Sequence, residues 1–203
     1  MNLKSCFLIL LCISPLAMAD VEYRGFHIDD HLLNEEQKAS FTAQDLSSVQ
    51  RQVDIVEAVG LPPELLDVLK KVKIIVDPQL KNNPGVFSAR AGQGIVSIQP
   101  IIFEEDKPIL LHELLHAYHY YVLSLKNPAI LKAYDAAKHN ESYPAAYQRA
   151  HFLSNEKEFF AVTGTIYLFG NIHQPPFDCK VLSTSDPAYL DFLEKTFGRH
   201  DCG

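Results

Sequence analysis

A chain of 203 residues with 47% hydrophobic and 21% charged side chains has enough apolar material for one ordinary core, which argues against disorder. Its formal charge of −7 and scattered lysines argue against a nucleic-acid binder, and the lack of an internal repeat argues against solenoids and propellers.

The first twenty residues carry Lys4, an apolar run from Cys6 to Pro15 and the small-x-small triplet Ala17-Met18-Ala19. This pattern predicts a secretory signal peptide over residues 1–19, the run being too short for a membrane anchor of about 20 apolar residues. The remaining residues 20–203 are read as a single domain with a charge of about −8, secreted or periplasmic and without a membrane anchor. Cys6 and Cys12 leave with the signal. Cys179 and Cys202 are then expected to pair in an oxidising compartment, stabilising the fold by about 3 kcal/mol.

Residues 21–28 alternate in polarity. Leu46, Val49, Val53, Val56 and Val59 recur at helical spacing and end at Gly60. Pro62-Pro63 restarts a short helix through Leu65, Leu66 and Leu69, and Val72–Val76 reads as a strand stopped by Pro78. After a loop at Asn82-Asn83-Pro84-Gly85, Val86–Ser88 and Gly94–Ile98 read as two further strands. A long helix is expected to open at Glu104-Glu105-Asp106, carry Pro108 in its first turn and run to Leu125. It is apolar nearly all round, which predicts burial. Helices at 128–138, 155–169 and 187–197 complete an α+β outline, with the sequon Asn140-Glu141-Ser142 in a loop.

His112-Glu113-Leu114-Leu115-His116 lies within that oily helix. At about 100° per residue, positions i and i+4 share a face one turn apart, so two imidazoles can meet one cation, with Glu113 flanking them as a general base. Left as core residues, all three would be buried polar groups costing about 1–3 kcal/mol each. His119 is on the same face but more than 10 Å along from His112 at about 1.5 Å per residue. It is therefore read as a core or supporting residue.

A catalytic zinc site needs a third protein ligand and an open position. Glu156 and Glu158 open a later apolar helix about 200° apart, so only one of them can face a cation. Glu158 heads the row Glu158, Val162, Thr165. Asn155 and Glu158 are equally spaced as a capping box, in which Glu158 merely closes the helix end.

The pair His112-Glu113-Leu114-Leu115-His116 and Asn155-Glu156-Lys157-Glu158-Phe159-Phe160-Ala161 resembles the gluzincin arrangement of anthrax lethal-factor-type metallopeptidase domains and related small secreted bacterial zincins, over about residues 95–169. The resemblance implies a zincin-like fold, with a small mixed sheet whose edge strand flanks the cleft antiparallel to bound peptide; Ile95–Ile98 fits that place. It also implies one Zn²⁺ per chain on His112, His116 and Glu158, with Glu113 as base. Where this family carries a Tyr seven residues before the ligand Glu, this chain has His151, which can take its role as donor to the oxyanion unless Tyr147 or Tyr143 reaches in. The implied activity is a zinc-dependent endopeptidase acting on a protein or peptide. A non-catalytic zinc-binding protein and a hydrolase of another cell-envelope amide are the alternatives.

Overall fold

A computed structural model describes residues 21–34, 36–37, 43–139 and 143–202. The expected signal peptide and the sequon at 140–142 lie outside the described residues. The alternating N-terminal stretch folds as a hairpin of β1 (Val21–Tyr23) and β2 (Phe26–Asp29), whose two-residue turn places Arg24 and Gly25 at φ 51° and 81°. α1 (Ala43–Ala58) and α2 (Pro63–Lys70) follow, separated by Gly60 at φ 72°. β3 (Lys73–Val76) leads to a second hairpin, β4 (Gly85–Arg90) and β5 (Gln93–Ile98), turning through Ala91 and Gly92.

These strands form one mixed sheet in the order β1-β2-β3-β5-β4. β2, β3 and β5 run parallel, and the two hairpins add antiparallel strands at either side. The expected edge strand, Ile95–Ile98, is thus corrected: β5 lies inside the sheet between β3 and β4, and the edge on that side is β4. The physical reason is visible in burial. Val96 and Ile98 are fully buried, whereas β4 ends in exposed Ser88-Ala89-Arg90.

α3 (Ile109–Tyr118) packs against β4 and β5 on one side and α5 (Glu156–Phe169) on the other, and Leu110, Leu111, Leu114 and Leu115 are fully buried. The long helix begins later than expected, since Glu104-Glu105-Asp106 form a turn ahead of it. Pro108 contributes no side-chain cap, and α1 meets the need instead. Gln52 accepts from the Leu110 N–H at 3.1 Å and donates to the Lys107 carbonyl at 3.0 Å. α3 also ends earlier, at Tyr118, widening into a π-helical turn over His119–Leu123 that stops at Ser124, φ 68°.

α4 (Pro128–His139), short 3₁₀ turns at Ala145–Tyr147 and His151–Leu153, α6 (Cys179–Ser185) and α7 (Pro187–Phe197) complete the described chain. Cys179 and Cys202 stand at disulfide distance, with Cα atoms 4.9 Å apart, holding the C-terminal tail to α6. No described helix is long and apolar enough to cross a membrane.

Candidate metal centre

α3 presents His112 and His116 one turn apart with their rings perpendicular and their Nε2 atoms 3.1 Å from each other. At most one of two facing imidazole nitrogens can place a proton between them, so at least one lone pair points into the same space. Glu158 arrives from the first turn of α5. Its Oε2 lies 3.3 Å from His112 Nε2 and 3.4 Å from His116 Nε2. The corners of a tetrahedral zinc site with bonds of about 2.0–2.1 Å are about 3.3–3.4 Å apart, so the three donor atoms have the spacing of such a site.

Glu158 Oε2 is buried and, among the described residues, makes no hydrogen bond of proper geometry, although three imidazole nitrogens surround it. Three imidazole nitrogens thus lie 2.9–3.4 Å from one carboxylate oxygen, a spacing at which donor atoms can share a cation. Burial raises the pKa of this carboxyl, but the imidazoles of His112, His116 and His151 overcome it and hold the group far below the ordinary carboxylate range.

The helix start explains why Glu158 faces inward. Asn155 closes α5 by accepting from the N–H groups of both Lys157 and Glu158 at 3.0 Å. The cap that the spacing allowed is therefore present, carried by Asn155, and the Glu158 carboxylate turns to the imidazoles. Glu156 lies outside the triangle.

Glu113 is 7% exposed, and one of its carboxylate oxygens lies within 4.8 Å of donor nitrogens of both His112 and His116. Its Oε2 accepts the Phe87 backbone N–H of β4 at 2.7 Å. The close approach of β4 depends on Gly85, where a Cβ would stand 2.7 Å from Ile109 Cγ2 and 3.0 Å from Glu113 Cγ. Neither this amide nor Gly85 is found by sequence reasoning, which places Gly85 in a loop; the Asn-Pro-Gly run hid the first residue of a strand.

His151 sits on the 3₁₀ turn just ahead of α5, half-exposed, with Nε2 2.9 Å from Glu158 Oε2. Contact with Glu158 raises its pKa, against the opposing effect of partial burial. Of the alternatives to His151, Tyr143 is buried with its ring on Phe152 and Phe159, and Tyr147 packs on Phe177. Neither lines the cleft. Tyr120 does, as do Phe87 and Leu125. The cleft encloses about 490 Å³, and a smaller cavity of about 230 Å³ shares His112 and Glu113 with it and is lined also by His173 and Gln174.

His119 is no part of this cluster. It is fully buried against Phe160, its ring nitrogens have no hydrogen-bond partner among the described residues, and burial pushes its pKa down to about 4.

No family model, no curated protein and no solved structure matches this chain. The fold and site define an α+β protein whose His112-Glu113-His116 group can hold a metal ion.

Proposed function

We propose that this chain is an exported, zinc-dependent endopeptidase of zincin type that hydrolyses peptide bonds in a protein or peptide. The observation that carries the reading is the triangle of His112 Nε2, His116 Nε2 and Glu158 Oε2, 3.1–3.4 Å on a side, with the Glu113 carboxylate on the wall of the same open cleft. Two neutral nitrogens and a carboxylate oxygen suit zinc, and three protein ligands leave a position for water or substrate. A zinc ion held there supplies Lewis acidity and a water of lowered pKa.

The chain's own residues do the rest. Glu113 takes a proton from the attacking water and delivers it to the departing amine. His151 Nε2, beside Glu158, supplies a donor for the negative charge that develops on the carbonyl oxygen. β4, which has no strand beside it on the cleft side among the described residues, offers backbone groups other than the Phe87 N–H to an extended polypeptide. Export is supported by the signal-like residues 1–19 and by the Cys179–Cys202 pair, which suits an oxidising compartment.

Metal analysis of purified chain 20–203, with a peptide-library digest beside Glu113→Gln, tests the reading. About one zinc per chain and cleavage that falls at least 100-fold in Glu113→Gln is expected. Zinc bound with no cleavage of any peptide would favour a non-catalytic binding protein, and cleavage unchanged in Glu113→Gln would end the proposal.

A further inference from the structure

In the β4/β5 hairpin the Gln99 N–H donates to the Pro84 carbonyl, while the Phe87 N–H points away from β5 to Glu113. Backbone groups alternate in direction along an antiparallel strand, so even-numbered residues of β4 bond to β5 and Gly85, Phe87 and Ala89 face the cleft. All three line it. A free sheet edge normally offers each such N–H to an incoming strand. Here the middle one is already taken, by a buried carboxylate at 2.7 Å, and Gly85 supplies the clearance that lets Glu113 reach it.

We infer that the Phe87 backbone N–H is a positioning group that seats the Glu113 carboxylate, and that an extended polypeptide substrate therefore reads β4 through the Phe87 carbonyl and the complete donor–acceptor pair of Ala89. This deepens the hydrolytic reading above and rests on it. The seat joins the catalytic base to the strand that binds substrate. A displacement of β4 moves Glu113 with it, so substrate pairing and alignment of the base become one event. A charge-assisted bond to a backbone amide is also stronger than a neutral one, which makes the seat a better restraint on the side chain than packing alone.

Two measurements on zinc-loaded chain 20–203 test this. Proline is tolerated on an edge strand where its missing N–H faces outward, so Phe87→Pro deletes the donor while Phe87→Ala deletes only the ring. The expected result is a kcat for Phe87→Pro at least tenfold below that of Phe87→Ala with the two KM values within about threefold; equal kcat values for two folded, zinc-binding variants overturn the inference. Amide hydrogen exchange decides the matter without turnover. Phe87 should exchange at least tenfold more slowly than Ala89 on the same edge, and should lose that protection in Glu113→Ala while Val86 and Ser88 keep theirs. Protection at Phe87 that ignores Glu113 overturns the seat even where the hydrolytic reading stands. Absence of hydrolysis by the wild type sinks the hydrolytic reading and leaves the seat to the exchange result.

Discussion

Asn155 and Glu158 share the first turn of α5, and Asn155 Oδ1 accepts the Glu158 backbone N–H at 3.0 Å while the Glu158 carboxylate lies against His112 and His116. One residue closes the helix so that the other can face the cleft. The division of labour places a carboxylate in a half-buried position where, with no cation, its oxygen depends on imidazoles that are not aimed at it.

Glu158→Ala is accordingly expected to weaken zinc binding at least about 100-fold while leaving the helix intact, because the cap belongs to Asn155. Competition with a chromophoric chelator measures the first and far-ultraviolet circular dichroism the second. Zinc in excess should stabilise the wild type by about 4 kcal/mol at a thousandfold over its dissociation constant, and much less in the variant.

Gly85→Ala puts a methyl group 2.7 Å from Ile109 Cγ2 and 3.0 Å from Glu113 Cγ. Overpacking of this kind costs about 1–3 kcal/mol, read in urea denaturation. The expected functional effect is larger, since the strand and Glu113 must move apart: kcat falls with zinc content unchanged.

His119 gives a pH dependence of defined sign. The folded ring takes a proton only near pH 4, whereas the unfolded ring does so near 6.5, so between these values the unfolded chain binds more protons and stability falls as pH falls. The loss from pH 7.5 to 4 amounts to about 3 kcal/mol. His119→Leu removes this component and two unpartnered nitrogens, so in chelator it should match or exceed the wild type at pH 7.5 and lose less on acidification, measured by denaturant unfolding at each pH.

Asp29 behaves oppositely in origin and alike in direction. This buried carboxylate bridges Lys73 on the neighbouring strand and His31; burial raises its pKa, and Lys73 and then His31 bring it down to about 2. Its contribution is complete above pH 3.8 and disappears as pH falls through 2. Asp29→Asn should cost about 2 kcal/mol at pH 7 and make the acid limb shallower below pH 4, again by denaturant unfolding.

The two imidazoles were legible because a helix repeats every 3.6 residues and nothing else places i and i+4 on one face so reliably. The oily surroundings of that helix announced its burial for the same reason. Strand order was not legible: β4 and β5 are both short, and which one lies inside depends on the pairing of β5 with β3, a contact between segments about twenty residues apart. The polar end Ser88-Ala89-Arg90 was the available sign that β4 is the edge. The start of α3 depends on Gln52, more than fifty residues away, and no local pattern reports such a cap. α6 was missed because Cys179-Lys180-Val181-Leu182-Ser183-Thr184-Ser185 is short and rich in hydroxyls, although Asp178, which accepts from the Val181 N–H, was a readable start signal. Tyr143 was a reasonable partner for the cleft on type alone, and only tertiary packing sends its ring to Phe152 and Phe159 instead.

α3 and α5, which carry the three candidate ligands, pack directly against each other, so closely that a Cβ on Gly164 would stand 3.1 Å from Leu115 Cδ1. Stripping the cation should therefore leave a vacant but upright socket, ready to be refilled from solution without refolding. On the proposed reading, the protein can then be purified empty and charged afterwards, with the guest set by whichever divalent ion its surroundings provide.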